Sequence, residues 1–284
     1  MKIGFIGQGW IGKNYADDFE SRGYDVVRYA LEEPYCKNIN LISECDIVFI
    51  AVPTPTTENG FDDSIVEEAL KLVAPSKIAV IKSTITPGTT EKLQQKFPDI
   101  FVLHSPEFLV EVTAAYDAAH PNRNIVGVPT DNSVFRRHAE TVLSVLPKAE
   151  YESIMRARDA EFVKYAGNCF LFTKVMYMNM LYDLVTAMKG DWSQIKDALV
   201  HDPRVGESHM EPVHKGGRGA GGHCFIKDFE AFRRMYDVFV KNPVGAQILS
   251  SKAHMNIQLL MESDKDIELL EGVYGDLDKY QKHN

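Results

Sequence analysis

The stretch Gly216-Gly217-Arg218-Gly219-Ala220-Gly221-Gly222-His223-Cys224-Phe225-Ile226-Lys227-Asp228 holds the residues best suited to covalent chemistry. Five of its first seven residues are glycine, so the backbone there can take positive φ or approach a ligand closely. Cys224 follows, then the Lys227-Asp228 pair, and Phe229, Phe232, Met235, Tyr236 and Phe239 recur at helical spacing. This pattern predicts that Cys224 stands where a glycine loop turns into a helix. A helix start offers unpaired N–H groups and a positive dipole end, which favour a thiolate. Such a setting lowers a cysteine pKa and makes the sulfur a nucleophile. A buried structural cysteine behind a surface loop is the alternative. The glycine density and the Lys-Asp pair favour the nucleophile.

Two polar residues, Lys164 and Asn168, interrupt a long apolar helical pattern at i and i+4, hence on one face. Read alone, the lysine either snorkels or serves a site, and the asparagine either satisfies a neighbouring helix or does the same. His209, His214, His223 and Cys224 lie close in sequence, but their spacings match no common zinc site, so no metal is expected.

The elements that must position these groups start at the N-terminus. Lys2–Ile6 is a short apolar strand, Gly7-Gln8-Gly9-Trp10-Ile11-Gly12 follows directly, and an amphipathic helix runs to about Ser21 before a second strand, Tyr24–Tyr29. A G-x-G-x-x-G that closes a strand, opens a helix and starts a βαβ unit is the dinucleotide fingerprint in its proper context. The acidic residue that normally holds the adenosine ribose is absent, Ala30 standing in its place. Glu32 and Glu33 follow, and no arginine comes soon after the strand, so NAD is expected over NADP.

Further apolar strands at Asp46–Val52, Lys77–Ser83, Ile100–His104 and Ile125–Val128 alternate with helical patterns, which predicts an α/β fold with a doubly wound parallel sheet covered on both faces. Three of them end in Pro53-Thr54-Pro55-Thr56, Thr84-Ile85-Thr86-Pro87-Gly88 and Ser105-Pro106-Glu107, loops expected to surround a ligand at the carboxyl edge. After a helix from Ser133 to Leu146 the strand signals stop. A long helix over Arg158–Met188 opens an all-helical region, so the expected domains are residues 1–155 and 156–284, with a fraying polar tail from Tyr274.

Composition agrees with a globular protein: 284 residues, 45% hydrophobic and 25% charged. The formal net charge of −9 argues against nucleic acid or an anionic membrane surface as partner. Four cysteines without paired spacing fit a reducing, cytoplasmic setting, and no signal sequence precedes the first strand. The most apolar stretch, Cys169–Val185, carries Lys174, Asn179 and Asp183 and reads as a buried helix, not a membrane span.

Together these residues resemble the UDP-glucose/GDP-mannose dehydrogenase family from Met1 to about residue 265. The blocks that carry the resemblance are Gly7–Gly12, Val52-Pro53-Thr54-Pro55-Thr56, Ser83-Thr84, Ser105-Pro106-Glu107-Phe108-Leu109 and Pro121-Asn122-Arg123. They continue with Lys164-Tyr165-Ala166-Gly167-Asn168, Asp202-Pro203-Arg204-Val205-Gly206, and Gly221-Gly222-His223-Cys224 through Lys227-Asp228. The resemblance implies a Rossmann domain plus a helical domain whose long helix, near 158–188, forms a homodimer. It implies NAD as cofactor, held by Gly7, Gly9, Trp10, Ile11, Gly12, Glu32, Pro53, Thr54 and Thr84. It also implies oxidation of a small-molecule primary alcohol, a sugar or sugar nucleotide, to an acid in two hydride transfers, for polysaccharide biosynthesis.

In that implied chemistry Cys224 attacks the aldehyde and carries the thioester. Lys164 and Asn168 stabilise the oxyanion with a water, Asp228 handles the proton, and Thr84 and Glu107 direct the hydrolytic water, with Glu111 a lesser candidate nearby. Phe108, Leu109, Arg204 and Gly221 join Glu107, Lys164 and Asn168 around the substrate, Arg204 reaching it across the dimer.

The departures are His223 for the usual serine, Ile226 for the usual proline and a short 31–45 segment. His223 either tunes the neighbouring thiol or faces solvent. Only one or two helical patterns follow Asp228, Phe229–Phe239 and Ala246–Met261, whereas the family has a third domain that grips the nucleotide. Weak binding of UDP-glucose by this chain is therefore expected. A two-electron β-hydroxyacid dehydrogenase, which has no need of Cys224, and a non-catalytic dinucleotide-binding protein are the competing readings.

Overall fold

The computed structural model describes residues 1–280, and the chain divides into two compact units. The first takes Met1–Thr54 and Asp62–Lys164, the second Pro55–Phe61 and Tyr165–Asn284. The strand-to-helix junction near residue 155, where the sequence suggests a boundary, lies inside the first unit. The division falls within the long helix instead, because that helix's first two turns pack on the sheet.

In the first unit, β1 (Lys2–Ile6), β2 (Asp25–Tyr29), β3 (Ile47–Ile50), β4 (Ile78–Ile81), β5 (Phe101–His104), β6 (Arg123–Val128) and β7 (Tyr151–Arg156) form one sheet. Their order is β2-β1-β3-β4-β5-β6-β7. The pairs are parallel except β5 with β6, which meet antiparallel at His104 and Gly127. Expectation thus meets a doubly wound sheet with one reversed junction. The strand order reverses between β2 and β3 on either side of β1, the switch point outside which α/β sheets bind their ligands.

Both faces are buried, as the continuous apolar runs require. On one face Phe5, Phe49, Val80, Leu103 and Val126 pack against α1 (Trp10–Ser21), α4 (Ala114–Ala119) and α5 (Ser133–Val145), with Phe5, Phe19 and Phe49 ring centroids 5.1 to 5.3 Å apart. On the other, Val48, Ile50, Ala79, Ile81 and Val102 are fully buried, as are Val66 and Leu70 of α2 (Ser64–Leu70) and Leu93 of α3 (Thr89–Lys96). Strand β7 has no strong sequence signal: Tyr151-Glu152-Ser153-Ile154-Met155-Arg156 is a half-buried edge strand of mixed polarity, paired in register with β6.

The helix α6 (Ala157–Ala187) starts with a buried carboxylate that closes another helix. Gly88, the residue before α3, has no side chain with which to cap. Glu161 does this from a distance, accepting from the Gly88 N–H (2.5 Å), the Thr90 N–H (2.8 Å) and the Thr90 hydroxyl (2.6 Å).

The second unit is mainly helical, built from the rest of α6, α7 (Trp192–Val200), α8 (Gly222–Phe239), α9 (Pro243–Glu262) and α10 (Ile267–Tyr274). It is not all-helical as expected: Thr56–Thr57 pairs antiparallel with Gly60–Phe61, and Val213–His214 with Gly217–Arg218. Tyr165, Phe172 and Met176 of α6 pack against Phe229 and Ala231 of α8 and Ala253 of α9, and the Phe172 and Phe229 rings stack at 3.8 Å. A second cluster joins Ile226, Ile257, Leu260, Leu270, Tyr274 and Leu277. The stretch after Tyr274, expected to fray, is held as far as Tyr280, whose ring lies 5.6 Å from His254 and 6.0 Å from Tyr274. The rest of that expected tail lies outside the described residues. Among the described residues no helix is long and apolar enough to cross a membrane. The apolar 169–185 stretch is part of α6, with Asn179 fully buried and bonded to the Val175 carbonyl.

Candidate active site

The first unit carries a cradle for a dinucleotide. The Gly7 N–H donates to the Tyr29 carbonyl at 2.9 Å, tying the ends of β1 and β2. A Cβ on Gly12 would run into the Gly7 carbonyl, so only glycine lets α1 start so close to the turn. A Cβ on Gly9 would meet nothing within 4 Å. Gly9 precedes α1, no side chain caps that helix, and its first turn has no acidic residue, so the leading N–H groups are open to an anion. These features fit a pyrophosphate. Trp10 is exposed and Ile11 half-buried beside them.

The neighbouring strand ends are locked together. Ser83 Oγ accepts from the Val52 N–H (2.9 Å) and donates to the Val52 carbonyl (2.7 Å), and Thr54 Oγ1 donates to the Thr84 carbonyl (2.7 Å). Pro53, Thr54 and Thr84 are therefore tied into one rim at these strand ends.

Beyond β2, Glu32 and Glu33 are exposed, Glu33 pairing with Lys37 at 3.1 Å. Arg28, two residues before Ala30, escaped the sequence reading. It is buried, and Asp17 and Glu20 each hold it at 2.7 Å, so its charge is already answered and not offered to a 2′-phosphate.

The same unit holds a buried ionic pair. Lys164 donates to Glu107 Oε1 at 2.6 Å and to the Glu107 carbonyl at 2.8 Å, with side chains only 8% and 3% exposed. The other Glu107 oxygen accepts the Leu109 N–H at 2.8 Å, which shapes the loop after β5. Leu109 also packs against the main core. Phe108 is half-buried, with the Arg123 guanidinium 3.8 Å over its ring and the Lys164 ammonium at 5.9 Å. Glu111 is exposed on the one-turn helix Glu111–Thr113.

In the second unit Cys224 is the third residue of α8, with Gly221 as the N-cap, so the loop-to-helix placement expected from the glycines is met. The helix begins seven residues before the apolar periodicity that announces it. Cys224 and His223 are both exposed. One turn further on, Asp228 is completely buried, accepting from Asn168 Nδ2 on one oxygen and Lys227 Nζ on the other, both at 2.6 Å. Asn168 and Asp228 thus form the pair that joins α6 to α8. Cys169, the other cysteine near Asp228, is buried, and burial pushes its thiol far up, so it is no nucleophile.

Residues some forty positions downstream pin the glycine loop. Asn256 accepts from the Ala220 N–H (2.7 Å) and donates to its carbonyl (3.1 Å), Ser263 accepts from the Arg218 N–H (2.9 Å), and Asp266 accepts from the Gly222 N–H (2.8 Å). Gly219 has φ +86°, and a Cβ there would press on Asn256 and Leu260. A Cβ on Gly221 would strike the Asp266 carboxylate. Short-range spacing holds no trace of these anchors. Arg204 is 87% exposed and forked onto Asp202 at 2.6 Å. Ile226, where the resemblance leads one to expect proline, is a core residue. Among the described residues no group of His, Cys, Asp and Glu is arranged to hold a metal.

Residues 35–144 match the NAD binding domain of the UDP-glucose/GDP-mannose dehydrogenase family, and residues 158–257 match its central domain. The chain belongs to this family. The first match begins downstream of Gly7–Gly12, so the glycine turn rests on its own geometry. NAD is the cofactor.

The chain is 29% identical to the putative UDP-glucose 6-dehydrogenase YtcA of Bacillus subtilis, over 82% of its own length and 63% of that protein's. It is 29% identical to a UDP-glucose 6-dehydrogenase of Streptococcus pneumoniae, over 99% and 85% of the two chains. A UDP-glucose dehydrogenase structure from Pyrobaculum islandicum superposes with a TM-score of 0.77 at 26% identity, covering 92% of this chain and 70% of that one.

Proposed function

We propose that this chain is an NAD-dependent dehydrogenase that oxidises the primary alcohol of a sugar or sugar nucleotide to the acid through a covalent intermediate on Cys224. The carrying observation is Cys224 in the first turn of α8 on a pinned glycine loop, one helical turn before the buried Asn168–Asp228 pair. The first unit is the dinucleotide-binding unit and the second the catalytic and dimerising one.

When bound, NAD would supply the hydride acceptor for both oxidations. In the first, Asp228 takes the hydroxyl proton through a water, and Lys164 and Asn168 steady the alkoxide. Cys224 then adds to the aldehyde carbon, placing a negative charge on oxygen that the same lysine and asparagine stabilise. Loss of the second hydride leaves a thioester. Water directed by Thr84 and Glu107 adds to it, the C–S bond breaks, and the acid leaves with the thiolate restored. Phe108, Leu109 and Gly221 shape the substrate site. A β-hydroxyacid dehydrogenase would take only one hydride and leave Cys224 without a task.

The test counts products. Incubating the chain with NAD and a panel of sugar nucleotides, simple sugars and hydroxy acids should yield two NADH per acid formed with one of the sugars. One NADH per product, or none across the panel, overturns the reading.

The partner in this reading is a second copy of the chain, met through α6. Phe170, Tyr177 and Leu184 recur every seven residues on that helix and are 68%, 54% and 56% exposed, with Met180 beside them at 46%. An apolar stripe of this spacing suits a helix pair. Arg204, exposed and forked onto Asp202, would then be offered to the other copy's substrate. Sedimentation of the wild type should give a dimer at micromolar concentration, and Phe170→Asp should weaken it by at least about tenfold. A monomeric wild type, or a variant as tightly paired, refutes the interface. A cytoplasmic location accompanies this reading, in keeping with the unpaired thiols of Cys36, Cys45 and Cys169.

A further inference from the structure

One turn before Lys164, α6 carries a second buried charge, Glu161, which has no exposed surface. The chemistry above gives it no task. Its carboxylate spans the junction between a loop and a helix. One oxygen accepts from the Gly88 N–H at 2.5 Å, the other from the Thr90 N–H at 2.8 Å and the Thr90 hydroxyl at 2.6 Å. Thr90 is itself fully buried. Gly88 ends the loop that starts at Thr84 and stands just before α3, in the left-handed region at φ +98°.

That loop is short and tied at both ends. At the sheet end the Thr84 carbonyl accepts from Thr54 Oγ1 at 2.7 Å, and Ile85 is buried. At the helix end the Thr89 N–H donates to the Thr86 carbonyl at 3.0 Å, and the Thr86 and Thr89 hydroxyls lie 3.0 Å apart. A displaced start of α3 therefore pulls on Thr84.

Glu161 and Lys164 stand at i and i+3, on one face of α6. Glu161 holds the loop after β4, and Lys164 holds Glu107 in the loop after β5 at 2.6 Å. A single helical turn thus sets the two loops whose Thr84 and Glu107 direct the hydrolytic water in the proposed reaction. The charge matters here. An ionised carboxylate only accepts, so it answers all three donors at once. A glutamine has one acceptor oxygen, and its NH2 group would meet an N–H donor head on.

We infer that Glu161 is a positioning residue for Thr84: it fixes the start of α3 and, through it, the place of the Thr84–Gly88 loop relative to Glu107. This rests on the acid-forming reading given above. Removing the charge slows the addition of water to the thioester more than it slows hydride transfer, so the acylated enzyme builds up.

The experiment compares the wild type with Glu161→Gln and Arg158→Met. Arg158 pairs with Glu91 of α3, so its loss loosens the same two helices and leaves the loop's N–H bonds alone. Acid formation from the aldehyde and NAD should fall about tenfold to a hundredfold in Glu161→Gln. The KM for the aldehyde should stay within about threefold. After an acid quench, intact-protein mass should show the acyl group on Cys224 in most molecules of that variant. Arg158→Met should match the wild type throughout. Hydrolysis at the wild-type rate in Glu161→Gln, a slow variant whose Cys224 stays free, or an equal loss in Arg158→Met overturns the inference. If Glu161→Gln does not fold, Thr90→Val decides alone, since it keeps the volume and deletes one of the three bonds. It should hydrolyse about threefold more slowly, and a wild-type rate overturns the inference.

A second readout needs no turnover. Hydrogen exchange of the backbone amides over residues 84–90 should be about tenfold faster in Glu161→Gln and unchanged in Arg158→Met. Faster exchange in a chain that forms no acid would sink the proposed reaction while leaving Glu161's hold on the loop intact. Exchange that stays slow in Glu161→Gln sinks the inference itself.

Discussion

Replacing Cys224 with serine is expected to abolish acid formation, lowering its rate by about three orders of magnitude or more, while NAD binding stays within about twofold of the wild type. The hydroxyl fits the space of the thiol, so the start of α8 and its anchors at Asn256, Ser263 and Asp266 remain in place. What changes is nucleophilicity: a helix start that stabilises a thiolate cannot bring a hydroxyl, with its much higher pKa, to the same state. The first oxidation does not require the sulfur, so the variant should yield at most one NADH per substrate and release aldehyde. Trapping the aldehyde with a hydrazine and measuring acid by chromatography decides the matter. Acid at the wild-type rate from Cys224→Ser would remove the covalent step from the mechanism.

The second large effect is on stability. Lys164→Met should destabilise the first unit by about 3–5 kcal/mol, because it strands the Glu107 carboxylate in a site only 3% exposed. The cost is the desolvation of an unpaired charge and not the strength of the pair. Lys164→Met combined with Glu107→Leu, which removes both charges, should therefore recover most of the loss. Thermal unfolding would show the single variant melting roughly 10 °C lower and the double variant close to the wild type. A single variant within about 1 kcal/mol of the wild type would mean that water reaches Glu107 freely.

How much of this was legible beforehand depended on the range of the interactions. The strand–glycine–helix start, the buried strands and the long helix are written in local periodicity, and each stands within a few residues of its expected place. Strand β7 left no signal because its residues are half-buried and of mixed polarity. The first turn of α8 was obscured by its own glycines, which read as loop until the downstream anchors are seen to hold them.

The site divides in the same way. Cys224 stands out as a candidate by type and spacing, whereas the proposed roles of Asp228, Lys164 and Asn168 come from the family resemblance. Glu161, Arg28 and Asp266 leave no such signal, since each acts on a partner brought near only by the fold. Lys164 and Asn168 illustrate the limit. Their spacing puts them on one helix face, but not their partners, which are Glu107 for the first and Asp228 for the second.

The anchoring of the glycine loop determines what can be transplanted. Residues 216–228 look like a portable cassette, a nucleophile with its own flexible mount. Their backbone groups at Arg218, Ala220 and Gly222 are answered by Ser263, Asn256 and Asp266, and two of their glycines exist to admit those side chains. Moved alone into another scaffold, the cassette would be a slack loop whose cysteine has no fixed direction. The smallest piece that keeps these three anchors is 216–266. Asn168 and Phe172 of α6 hold Asp228 and Phe229, so protein engineers recombining members of this family should place their crossovers outside both stretches.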